Sequence, residues 1–442
     1  NGHHIFCTEK KKCVGLHCMT EIQVYRSTSF DKLLLLLAVV SIFFEPYLPF
    51  FRGTSTPFYV FVFIMAYVLF IRIKAFRKIV TSTYFFGVIG FSLVCILMES
   101  IHSYPNYVDV FRFLNMSLGM FCISVLCRDR EAIDIALYSF IICSALHSLY
   151  MMTGSISFMR SLSAHGFDEA SKARIQAFEQ STILDYLNQI SVFSGLGAIL
   201  GIIAFYYESN RVKRGFLVVM ILLSMIGIFL PSSRTGTLVF ILSLLVFVYK
   251  AKVRMKRLLI PAVVFIVLLY VIVPNVVWVR IFAVGGIAEL RETDSRVKMY
   301  TTIITIIQQY VFTGVGCGYY WKHWAVNNGL TNMTTIYEPL APHNAFFLIW
   351  IFWGLPAFLS FLFLMYIFSR ALDKRIYGHR QKASLYIFLF IIPVAFLFTP
   401  RFYNKAFSIG IGMVLAARYW NIFENAGEAA VTGEEEMIEP KT

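Results

Sequence analysis

The chain has 442 residues, of which 58% are apolar and only 14% charged, with a formal net charge of +14. A soluble domain carries about 25% charged residues, so a water-soluble globule is excluded. Nucleic acid is not the expected partner of the positive charge, because Lys and Arg fall in short clusters between apolar runs and form no single stripe.

The first thirty residues are an N-terminal segment. Cys7, Cys13 and Cys18 stand there with His3, His4 and His17, at spacings that fit no zinc pattern well. Met19 opens a plausible leader, so residues 1–18 are expected not to be native and are set aside. A transmembrane domain follows over 31–420. Its apolar runs lie near 31–51, 57–73, 79–101, 107–127, 132–153, 183–207, 215–231, 236–249, 258–277, 344–369, 384–400 and 406–420. Runs near the ~20 residues needed to cross a hydrocarbon core predict an all-α polytopic membrane protein of about twelve transmembrane helices. The aromatic share of 17% suits interfacial belts. Cys95, Cys122, Cys127 and Cys143 lie in or beside apolar runs, where Cys acts as a small hydrophobe. The tail, 421–442, is acidic, with Glu434, Glu435 and Glu436 in a row.

Every second connection is basic. Arg72, Lys74, Arg77 and Lys78 form one cluster, Arg128 and Arg130 the next, then Arg211, Lys213 and Arg214, then Lys250 to Arg257, then Arg370 to Lys382. The alternate connections are sparse in positive charge. The pattern predicts an even number of spans, both termini in the cytoplasm, and the long loop 278–343 on the periplasmic side.

Three features share that outer side. The first is Ser232-Ser233-Arg234-Thr235-Gly236, between two apolar runs. An arginine at a bilayer centre costs about 2.5–3.5 kcal/mol on insertion scales, so Arg234 is expected to face a cavity, a partner or an anion. The second is Asp294-Ser295-Arg296, followed by Gly314-Val315-Gly316-Cys317-Gly318. The third is Pro342-His343-Asn344, where the long loop re-enters the membrane. Arginine offers a planar fork of donors suited to phosphate, and a histidine takes a proton near neutral pH. Small residues around Arg234 would let a headgroup approach the backbone. Each feature also has a plain structural reading: Arg234 as a snorkelling anchor, Arg296 as a solvated loop residue, Asn344 as a helix N-cap.

Glu45, Glu99, Asp109, Arg112 and Asp185 lie in or at the ends of apolar runs and rank lower. Asp109 and Arg112, three apart, read as a helix-face pair. Arg160, Lys172, Arg174 and Glu338 are weaker candidates still.

Over roughly 183–370 the chain resembles the O-antigen ligase and polysaccharide repeat-unit polymerase family of bacterial envelopes. The resemblance rests on Ser233-Arg234-Thr235-Gly236 between adjacent spans, on Arg296 with Gly314-x-Gly316-x-Gly318, and on His343-Asn344 with Gly354-Leu355-Pro356. It implies a metal-independent glycosyltransferase of the inner membrane, GT-C-like in architecture, with no cofactor and an active site facing the periplasm. Such an enzyme moves glycan from an undecaprenyl-diphosphate carrier to a hydroxyl of an acceptor glycan or of lipid A core. By the same resemblance Arg234 and Arg296 would grip the diphosphate, with Ser233 and Asn344 in the binding site, and His343 would act on the acceptor hydroxyl. Repeat-unit polymerase is slightly favoured over ligase, and a chain-length regulator is a further expected partner. The rival reading is a multi-span transporter of lipid-linked glycan or another solute. It fits less well, because the strongest charged features sit on one side and no two related halves are evident.

Overall fold

A computed structural model describes residues 26–44, 56–161, 187–231, 233–251, 270, 273, 277–278, 295–320, 344–372, 380–397, 405–420 and 422. Among them all regular structure is helical. The helices are α1 (Ser29–Phe44), α2 (Thr56–Ile71), α3 (Ile73–Val80), α4 (Thr83–Ser100), α5 (Val108–Leu126), α6 (Arg130–Ser161), α7 (Leu187–Tyr207), α8 (Arg211–Phe229), α9 (Arg234–Lys250), α10 (Ser295–Gln309), α11 (Ala345–Ser369), α12 (Arg380–Phe396) and α13 (Lys405–Tyr419). A single helical turn, Cys317–Tyr319, lies between α10 and α11.

Among the described residues six helices are long and apolar enough to cross a membrane, and seven if the bent pair formed by α2 and α3 counts as one. The stretches Thr235–Lys250 and Phe407–Tyr419 are apolar but shorter. Apart from α3 and α10, the helices coincide with apolar runs of the sequence, and most of run 258–277 lies outside the described residues, as does 45–51 of the first. One basic cluster is not the loop that hydropathy suggests. After Ile71 the chain bends by 104° into α3, a short helix bearing Lys74, Arg77 and Lys78, with Ile79 buried. Charges on one side of so short a helix suit an interfacial position.

α7 sits centrally, packed on α6, α8, α9 and α12. Lipid gives apolar helices no reason to prefer one another, so close approach and interhelical hydrogen bonds must hold them. Buried serines and glycines supply both here. Gly197 faces Ser144 and Gly227 faces Ser148 and Ser194, with no room for a Cβ at either glycine. The Ser144 hydroxyl donates to Ser224 Oγ over 3.1 Å, and Ser191 Oγ donates to the Ile228 carbonyl over 2.7 Å. Elsewhere α5 packs on α13, and α4 packs antiparallel on α11, with Phe91 against Phe361 and Tyr84 stacked on Phe368.

Basic residues from several connections gather at one end of this bundle. Asp31, fully buried in the first turn of α1, accepts from Arg72 Nη2 and Arg128 Nη2, each over 2.7 Å, and from Tyr67 Oη over 2.9 Å. Burial lowers the pKa of Arg128 from the usual guanidinium range, and the Asp31 carboxylate works against that shift. At the same end Lys78 Nζ donates to the Tyr419 carbonyl over 2.8 Å, and Arg380 pairs with Asp134 over 2.6 Å. The α4–α5 and α8–α9 connections lie at the opposite, far end.

Candidate functional site

At the far end Arg234 is the first residue of α9. Ser233 before it is the N-cap, extended at φ −97° and ψ 112° and buried, yet its side chain makes no capping bond. Its carbonyl accepts instead from the Thr237 amide over 3.4 Å. Gly236 has a structural role the motif did not reveal. A Cβ there would run into the Ser191 side chain, so the glycine seats the first turn of α9 on α7 and is not open to a headgroup. Ser232 lies outside the described residues.

The Gly-rich segment and α11 form one unit. α11 is broken at Gly354, which has φ 70° and ψ −171°. Residues eight apart on a straight helix are about 12 Å apart, yet the Trp350 and Phe358 rings stack at 4.6 Å. Phe346 and Phe361 also meet, at 5.6 Å. The two arms of α11, 345–353 and 355–369, therefore bend toward each other at Gly354. Pro356 has no N–H to return to Phe352, and Leu355 donates away from the helix to the Val311 carbonyl over 2.9 Å. The two carbonyls so released are taken by the Gly-rich segment. Val315 N donates to Ile351 O over 2.7 Å, and Gly316 N to Phe352 O over 2.9 Å. Gly314 and Gly316 have φ of 66° and 80°. At Gly314 a Cβ would come within 2.6 Å of the Ile351 and Phe352 carbonyls. The segment turns tightly, and glycine is needed at Gly314 because backbone meets backbone, and at Gly316 because a Cβ would meet the His102 side chain.

Glu99 closes the unit from α4. It is fully buried in the last turn of its helix, where the helix dipole disfavours an acid. Its Oε1 accepts from Asn106 N over 2.7 Å and from Gly318 N over 3.2 Å. Its Oε2 accepts from Cys317 N and from Trp353 Nε1, each over 2.8 Å. Asp109 beside it accepts from Arg112 over 3.0 Å, the helix-face pair expected from the spacing. Against the outer side of the turn lies a cavity of about 350 Å³, lined by His102, Ser103, Tyr310, Thr313 and Tyr319.

Arg296 is the second residue of α10. One turn later Tyr300 packs against Phe347, ring centroids 6.2 Å apart. The Phe347 amide donates to Asn344 Oδ1 over 3.0 Å, so Asn344 is the N-cap of α11. The start of α10 and the start of α11 are thus neighbours. α12 links them to α9: it packs on α9, and its Phe396 ring lies 6.4 Å from Phe346. His343 lies outside the described residues, as do Glu45, Lys172, Arg174, Asp185 and Glu338. The described part of 278–343 is also no free loop, since α10 lies along α11 with Ile303 and Ile306 buried.

Residues 216–362 match the family model described as O-antigen ligase. This segment is O-antigen ligase-like. The match runs from α8 through α9, α10 and the Gly-rich turn to past the break in α11, and it supports activity of the O-antigen ligase/polymerase type. It falls inside the stretch on which the sequence resemblance rests. Glu99 and the 101–107 connection lie outside it. No curated protein matches the chain.

Proposed function

We infer that the chain transfers glycan from an undecaprenyl-diphosphate carrier to a hydroxyl of an acceptor sugar. It does so as a repeat-unit polymerase or an O-antigen ligase, within about twelve spans of a bacterial inner membrane. The observation that supports this reading is the neighbouring starts of α10 and α11 inside the matched stretch, with Arg296 in the first turn of α10 and His343 preceding Asn344 in the sequence. Arg234 and Arg296 neutralise the diphosphate, a role for which their bidentate forks suit them. Ser233 and Asn344 line the same site. His343 accepts the proton of the acceptor hydroxyl. The hydroxyl oxygen bonds to the anomeric carbon while the carbon–oxygen bond to the diphosphate breaks, so undecaprenyl diphosphate leaves and configuration inverts. The arginines meet the leaving-group charge, and no step calls on a metal.

The test uses two hosts, one lacking its repeat-unit polymerase and one lacking its ligase. Restored size ladders in the first identify a polymerase, and glycan joined to lipid A core in the second identifies a ligase. With purified chain, transfer should release undecaprenyl diphosphate, persist in EDTA and invert the anomeric centre. Movement of lipid-linked glycan across vesicles without diphosphate release would replace this reading by transport.

A further inference from the structure

Glu99 is a buried carboxylate for which the transfer chemistry above has no use. Its environment rules out a direct part. It has no exposed surface, and its oxygens already accept from four N–H donors, so a substrate proton has no free lone pair to reach. The donors come from three places: the connection after α4, the Gly-rich turn, and Trp353 at the apex of the bent α11. A carboxylate buried away from water, at the unfavourable end of a helix, persists only where such donors converge on it. The same apex joins the last residues after α10 to α11, through Val311, Val315 and Gly316.

Both helices lead from this clamp to the residues proposed for transfer. The first arm of α11 runs about 13 Å back to Asn344, and α10 about 20 Å back to Arg296, at 1.5 Å per residue. A loosened apex would let the two helix starts shift against each other, and misplacement by about 1 Å can slow a positioned reaction 10²-fold.

We propose that Glu99 is a positioning residue: it locks the Gly-rich turn to the apex of α11 and so holds the starts of α10 and α11 in their catalytic relation. The proposal rests on the transfer reading for its kinetic part and on geometry alone for its structural part.

The test is Glu99→Gln in the full chain in lipid nanodiscs, with Trp353→Phe as a milder second variant. Glutamine keeps the shape but turns one acceptor into a donor facing donors. Amide exchange in 314–320 and 351–355 should rise at least tenfold in Glu99→Gln and severalfold in Trp353→Phe, with α6 and α8 unchanged. The kcat for transfer should fall tenfold or more, while the KM for lipid-linked glycan stays within about twofold. The double variant should be no slower than Glu99→Gln alone. If Glu99→Gln does not accumulate, Trp353→Phe decides on the same readouts. Unchanged exchange overturns the proposal, and a fall in kcat without a change in exchange makes Glu99 a direct participant, which also overturns it. Faster exchange in a chain whose unsubstituted form transfers no glycan keeps the clamp and sinks the transfer reading instead.

Discussion

At the scale of single residues, the difference between guanidinium and ammonium is the sharpest probe of the site. Arg234→Lys and Arg296→Lys keep the charge but lose the planar fork, and each should slow transfer about 10²-fold, the effect of removing one preorganised donor. His343→Ala should slow it by about 10²-fold or more while carrier binding survives, because a general base acts on the acceptor and not on the diphosphate. Radiolabelled transfer with a parallel carrier-binding assay reads all three, and three silent substitutions would move the site elsewhere. Asn344 was legible as an N-cap from its place before an apolar run. Glu99 was visible only as an acid at the end of such a run. Its partners Gly318 and Trp353 lie 219 and 254 residues away, so no local pattern could give it a role.

At the scale of elements, the break in α11 controls the architecture of the far end. Hydropathy reads 344–369 as one span, and Pro356 carries no weight there because proline is common in membrane helices. The structure breaks the helix because Gly354 has a left-handed φ and the released carbonyls find donors in the Gly-rich turn. Gly354→Ala would place a Cβ against the Phe312 carbonyl and strain a positive φ. It should cost about 1–3 kcal/mol from backbone strain alone, and more from the clash. The expected outcome is a lower thermal midpoint in detergent and rapid exchange across 311–316. A wild-type midpoint would mean that the two arms are not held as described. Gly236→Ala is a comparison at the α9–α7 contact, where loss of stability without change in 311–316 is expected.

At the scale of the whole molecule, the two ends of the bundle differ in kind. The basic end is held by ion pairs, chiefly the buried Asp31 with Arg72 and Arg128. Removing one partner of a buried pair costs about 3–5 kcal/mol, because the remaining charges stay buried. Asp31→Asn should therefore lower the thermal midpoint sharply, yet leave kcat near wild type at a permissive temperature, since the residues proposed for transfer stand on or beside other helices. A selective loss of kcat with unchanged stability would contradict that separation. The far end is held by backbone groups, glycines and the carboxylates of Glu99 and Asp109, and it is there that the matched family segment meets elements from outside the match.

Hydropathy and length are local properties, so the apolar runs alone announced a helical membrane protein and placed nearly every described helix. The order of Arg234, Arg296, the Gly-rich segment and His343-Asn344 was likewise readable, because short motifs survive as strings. The bend between α2 and α3, the break at Gly354, the contact of Gly236 with α7 and the four donors around Glu99 were not. Each depends on which groups meet across the bundle, and only the packed chain settles that.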